Sequence, residues 1–244
     1  MRHPLSPLAV LSAISLSSFT LVGLTILIVL TYAPTIVADE AVTSVFPMPQ
    51  SAAAVALQPI SHNQDAFWKK RPELVRKIRD ERSILVSVTE SNELGKGISF
   101  KMLGVGIVRR SKEFSFRASQ EYSRLPQVSD HFQEAVYAES SHQLLLVVAA
   151  LGFKTRMVLR ILPVAGEERS ELQWEVIHGS FKGLKGLVGY ERDGDGKTEM
   201  SLDAHYTAET LPLPKPLMGF ALEVIIQKVA EKMRSFIESE SPQK

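Results

Sequence analysis

Six runs of strand-like residues fill positions 132–208: "FQEAVYAES", "HQLLLVVAA", "FKTRMVLRILP", "ELQWEVIHG", "SFKGLKGLVGYER" and "KTEMSLDAHYTA". Short Ser, Gly, Glu or Asp turns separate them, the pattern of an antiparallel meander. Alternation is clean in several. Within 198–207, Met200, Leu202, Ala204 and Tyr206 share one face, and Glu199, Ser201, Asp203, His205 and Thr207 the other. Within 153–161, Phe153, Met157, Leu159 and Ile161 oppose Lys154, Arg156 and Arg160. Side chains on a strand alternate between faces, so this sheet is wet on one side and must bury the other. Something apolar has to cover it.

The cover follows the last strand. "TLPLPKPLMGF" places Pro212, Pro214 and Pro216 just before an apolar stretch that runs almost to the C-terminus. Met218, Leu222, Ile225, Val229, Met233 and Phe236 recur at spacings of three and four, which predicts an amphipathic helix of about six turns. Proline costs little at a helix start, where its missing N–H would be unpaired anyway. The prolines end the strand and aim the helix back across the sheet.

Upstream, "SILVSVTE" (83–90) and "ISFKMLGVGIVRRSKEFSF" (98–116) read as strands, the second bent or interrupted near Gly104 or Gly106. Residues 118–132 have helical composition, split by Pro126 into two short pieces. Residues 65–82 predict a turn and then a helix from Pro72. The basic side chains Lys69, Lys70, Arg71, Arg76, Lys77, Arg79 and Arg82 suit either a solvated helix face or contact with anionic lipid. Residues 39–64, rich in Ala, Val, Ser and Pro, read as a linker.

Arg2 and His3 precede an uncharged stretch, Leu8 to Ala33, with its most apolar part at 19–30. A basic start, an apolar core and a tolerable cleavage site after Ala38, with Ile36 two positions before it, describe a secretory signal. The full stretch is also long enough for a membrane span, which needs about 20 residues. Residues 1–38 are therefore a signal peptide or a membrane anchor. Either reading places the remainder outside the membrane: exported, periplasmic in a bacterium. The absence of cysteine excludes disulfides and thiolate chemistry and fits an oxidising compartment. A formal net charge of +1 gives no global sign of a nucleic-acid partner, although local patches can still exist.

"IHGSFKGLKG" (177–186), "GDGKTEMSL" (194–202) and "LPLPKPLMGFALEVIIQKVAEKMRSFIE" (211–238), together with the element order, resemble the START-like (SRPBCC) superfamily, closest to its coenzyme Q-binding and polyketide cyclase branch. The resemblance covers about residues 105–240. It implies an α+β helix-grip fold: an antiparallel sheet wrapped around the long C-terminal helix, with an apolar cavity between them for a lipid, isoprenoid quinone, sterol or polyketide. Residues 98–240 would form this domain, preceded by a helix and strand at 65–97. Where many members carry a Trp after the second glycine, this chain has Val188, with Tyr190 two residues on. Parity places Phe153, Met157, Leu159, Trp174, Val176, Val188, Tyr190, Met200, Leu202 and Tyr206 on the inner face, opposed by Leu222, Ile225, Val229 and Met233. For each, plain core packing competes with ligand contact.

Other chemistry finds little support. Counting an EF-hand loop from Asp193 puts Thr198 and Ala204 where glycine and glutamate are required, so "ERDGDGKTE" reads as a hairpin turn. His131, Glu134 and His142 do not make a metal motif. His178 and His205 read as solvated histidines. Ser180 follows His178 without the nucleophile elbow a hydrolase needs. Acid–base cyclisation would rest on Tyr190, Tyr206 or Thr155. The expected protein is a binder of a hydrophobic molecule, near or tethered to a membrane, with no catalytic or metal residues and no cofactor beyond a bound quinone or lipid. A cyclase-like enzyme and an envelope interaction protein with a filled core are the alternatives. Ligand identity and oligomeric state are not written in the sequence.

Overall fold

The computed structural model describes residues 66–93, 97–150, 153–208 and 215–241. The apolar stretch 8–33, the linker 39–64, Pro212 and Pro214 lie outside them. In chain order the elements are α1 (Pro72–Arg79), β1 (Leu85–Glu93), β2 (Gly97–Val108), α2 (Lys112–Ala118), a 3-10 turn (Tyr122–Arg124), α3 (Leu125–Val128), β3 (Phe132–Ala138), a second 3-10 turn (Glu139–Ser141), β4 (Gln143–Ala150), β5 (Phe153–Val164), β6 (Arg169–Gly179), β7 (Lys185–Arg192), β8 (Thr198–Ala208) and α4 (Lys215–Ser239). The strands form one eight-stranded antiparallel sheet in the order β1-β2-β8-β7-β6-β5-β4-β3. All six runs predicted in 132–208 are strands. Where β7 turns into β8, Gly194 and Gly196 take φ of 70° and 67°, the left-handed conformation a tight hairpin requires.

Residues 109–116 depart from the strand expected there. "EFSF" alternates, but Ser111 stops β2 and caps a helix: its hydroxyl accepts from the Phe114 N–H at 3.3 Å. A cap satisfies an N–H that the first helical turn leaves orphaned, and here it outweighs a four-residue alternation. Ser115 and Ala118 turn inward from α2, and Phe116 packs edge-on against Tyr190 at 5.4 Å. Pro126 sits in the first turn of α3 rather than between the two short helical pieces, which meet at Arg124 and Leu125.

The sheet is not wet along the whole of its outer face. Ala66, Trp68 and Ile78 of the segment leading into and through α1 are buried against Val105 and Ile107 of β2. Three of the basic side chains in 65–82 are held within the molecule: Lys69 by Glu191 at 3.6 Å, Arg79 by Asp193 at 2.7 Å and Arg82 by Glu238 at 2.6 Å. No helix of the described residues is long and apolar enough to cross a membrane.

Lys112 is 3% exposed, yet it is a lysine. Its Nζ donates to the carbonyls of Gly166 and Glu167, each at 2.6 Å, and so ties α2 to the β5–β6 turn. Lys112→Met keeps most of the buried stem and deletes both charge-assisted bonds. A loss of about 2 kcal/mol is expected, read as a lower urea midpoint at unchanged slope. A midpoint equal to that of the unaltered protein would show that the turn needs no tie.

Candidate ligand-binding site

Helix α4 is fastened at both ends. Near its start Met218, 2% exposed, packs with Phe100, Met102, Ala204 and Tyr206. Near its end Ile237, fully buried, packs with Val108 and Ala118. The C-terminal turn is also clamped by polar groups. Glu238 accepts from Arg82 Nη2 at 2.7 and 2.6 Å and from the Arg109 N–H at 2.8 Å, and Arg124 bonds both oxygens of Glu240. Burial of the Glu238 carboxyl opposes ionisation. The Arg109 N–H and the Arg82 guanidinium outweigh that burial and hold its pKa below the ordinary carboxylate value.

Midway along the helix Ile226 packs on the same cluster as Met218. Ile225 and Val229 face the domain only half-buried, and neither is among the side chains packed against a buried cluster of the described residues. Leu159, Trp174, Val188, Met200 and Leu202 on the sheet's inner face are also half-buried, as are Leu222 and Met233 on the helix. An apolar side chain enclosed on all sides by packed neighbours is ordinarily far less accessible. These residues face one another across the interface of helix and sheet, and most of them pack on the buried clusters. An antiparallel eight-stranded sheet closed over by its own C-terminal helix decides the architecture.

The fold is a helix grip.

The remaining inner-face residues from the sequence reading sit in filled core. Met157 and Val176 are buried with Tyr122, Leu125, Leu144 and Ile161. Tyr190 is 1% exposed; burial drives its phenol pKa up, and a hydrogen bond with Ser119 offsets that only in part. Tyr206 is buried beside Phe181, with ring centroids 5.6 Å apart, and burial raises its pKa too. Phe153 opens β5, and its side chain is outside the described ones. Thr155 has inward parity, with its hydroxyl buried.

Trp174 pairs with Gly186 across β6–β7, and its indole Cζ2 lies so close that a Cβ on Gly186 would stand 2.7 Å away. Phe116 from α2, Phe181 and Leu184 from the β6–β7 loop, and Phe132, Ala135 and Tyr137 from β3 also pack on the inner clusters. The sequence reading missed these. The Ser111 cap was the available signal for α2. The loop and β3 residues have no periodic signature of their own.

Among the described residues no group of three metal-ligating side chains converges. His131 binds the Ala149 carbonyl through Nδ1 at 3.0 Å, and His142 meets the Tyr137 hydroxyl at 3.2 Å, so these histidines have separate partners. On the outer face, a cleft of about 290 Å³ lies between α1 and the β7–β8 hairpin, walled by Trp68, Ile78, Arg79, Asp193 and Glu199. Burial raises the Glu199 pKa, partly countered by Lys69.

No family model matches the chain, and no curated protein matches it. Among solved structures it is similar to a START superfamily protein from Mycobacterium smegmatis (15% identity, 57% of this chain and 97% of that one, TM-score 0.49). It is also similar to a STAR-related lipid transfer protein fragment from Xanthomonas axonopodis (11% identity, 63% and 99%, TM-score 0.49). A third is Ara h 8.0201 (12% identity, 58% and 99%, TM-score 0.44). At these identities and TM-scores the likenesses carry no ligand or activity to this chain. The fold rests on strand order and helix placement.

Proposed function

We propose that this protein binds a hydrophobic small molecule, a lipid or isoprenoid quinone of the kind the coenzyme Q-binding branch takes, between α4 and the sheet, as an exported or membrane-tethered module. The observation that carries the reading is the half-buried middle of α4, Ile225 and Val229, opposite half-buried Leu159, Trp174, Val188 and Leu202. Filling such a space with an apolar ligand is favourable by roughly 25 cal/mol per Å² of apolar surface removed from water. The uncharged stretch 8–33 and the lack of cysteine support export or tethering. Nothing favours the cyclase alternative: the Tyr190 phenol is engaged by Ser119 inside the core.

The chain has two tryptophans, one on each side of the sheet. In a Trp68→Phe background, Trp174 emission therefore reports the inner space alone. Titration with a short-chain ubiquinone or with palmitate is expected to shift or quench that emission saturably. Trp174→Leu should weaken binding about tenfold, the scale of one buried aromatic contact. A flat titration with every ligand tried, together with no lipid recovered by solvent extraction and mass spectrometry, would leave the filled-core alternative in its place.

A further inference from the structure

The strand register assembles a basic row that the linear sequence scatters between Lys101 and His205. Lys101 pairs with His205, His205 with Lys185, Lys185 with Glu175, and Glu175 with Arg160. These five residues take consecutive lateral positions on β2, β8, β7, β6 and β5, with neighbouring strands about 4.8 Å apart. Their chain neighbours Phe100, Met102, Ala204, Tyr206, Gly186, Trp174, Val176 and Ile161 belong to the inner face. The row therefore lies on the outer face, beyond the end covered by α1. Lys154 and Arg156 extend it along β5. The Ser180 N–H, donating to the Arg156 carbonyl at 3.3 Å, brings the β6–β7 loop and exposed Lys182 alongside.

Lys101, Lys154, Arg156, Arg160, Lys182 and Lys185 thus stand against the carboxylates of Glu134 and Glu175, with Asp203 one row nearer α1, in a chain whose net charge is only +1. Lys101, Lys154, Lys182 and Lys185 make no ion pair among the described residues, whereas Arg156 has only a 3.8 Å contact to half-exposed Glu134.

We infer that this end of the outer face docks on an anionic lipid bilayer, the basic side chains meeting headgroups. A cluster of lysines and arginines is drawn to an anionic leaflet, while the long apolar stems of these side chains lie along its boundary. Single-stranded nucleic acid is the competing polyanion. It is normally held by aromatic stacking platforms among the basic groups, and no aromatic side chain stands in this row. The inference extends the membrane-proximal reading and does not need the inner space.

The test is co-sedimentation of the full chain with phosphatidylcholine vesicles, with and without phosphatidylglycerol. Neutral vesicles report what the apolar N-terminal stretch contributes; the increment on adding the anionic lipid reads the row. At about fivefold per lysine, Lys182→Gln with Lys185→Gln lowers that increment about 25-fold. Lys228→Gln with Lys232→Gln, the same charge change on the exposed side of α4, moves it less than about twofold. An equal fall for both lysine pairs would mean net charge alone, and no anionic increment would mean no docking; either overturns the inference. A single-stranded oligonucleotide that displaces the protein from anionic vesicles would overturn it in favour of nucleic acid. The Trp174 titration is read without vesicles, so failure here and failure of the ligand reading are separate results.

Discussion

Gly186→Ala is expected to cost about 3 kcal/mol of unfolding free energy, the upper range for forcing one methyl group into a packed site. The added Cβ would lie 2.7 Å from the Ala204 Cβ, 2.7 Å from Trp174 Cζ2 and 2.8 Å from the Asp203 carbonyl oxygen. The last is backbone of the adjacent strand and cannot rotate away. The indole could move, but only by leaving its seat against the inner clusters. The substitution should therefore change Trp174 emission as well as lower the urea midpoint. Gly104 supplies the control. It faces the same interior from β2, and a Cβ there would meet Leu202 at 3.5 Å and the Leu85 carbonyl at 3.6 Å, ordinary contact distances. Gly104→Ala should cost less than about 1 kcal/mol. Equal losses at the two glycines would refute the claim that the Trp174 seat is a close-approach site.

Glu238→Ala is expected to cost about 2 kcal/mol and to flatten the acid limb of the stability curve. The carboxylate takes two bonds from Arg82 and one from the Arg109 N–H. Removing it leaves a partly buried guanidinium without its counter-charge. The figure is kept below that of a fully buried pair because the Glu238 and Arg82 side chains are 22% and 34% exposed. The sign of the pH effect follows from the depressed folded pKa of Glu238. The stabilisation is fully present above the unfolded value, about 4.3, and is lost as pH falls through the lower folded value. Glu240, depressed by its bonds to Arg124, acts in the same direction. Urea midpoints between neutral pH and pH about 3 should therefore fall more steeply for the unaltered protein than for the Glu238 variant. Parallel curves would mean that the clamp titrates elsewhere or carries no stability. The clamp also matters to the proposed site, because it fixes one end of α4, the helix that covers the sheet.

The alternation of Met200, Leu202, Ala204 and Tyr206 was legible because a period of two has one structural meaning when turns bound the run. The stripe from Met218 to Phe236 was legible for the parallel reason at a period near 3.6. Both are local patterns, and together they specified an antiparallel sheet, a covering helix and which side chains point between them. The EFSF stretch was misread because four residues of alternation are too few to outweigh a capping serine. The outer face over β2 was expected to be wet because its cover, Trp68 and Ile78, lies far upstream in the chain, and no periodicity records which distant segment packs where.

By itself, then, the sequence determined the element types, the inward parity and the need for a helix over the sheet, since each depends on residues within a few positions of one another. Only the tertiary structure decided how far the interior is filled: that Tyr190 and Val176 are sealed in core while Ile225, Val229 and Trp174 are not. It alone placed Trp174 over Gly186 and aligned Lys101, His205, Lys185 and Arg160 in one row. The physical reason is common to all three. Packing density and cross-strand register are properties of residues brought together from distant parts of the chain, and the spacing of residues along the chain carries no measure of either.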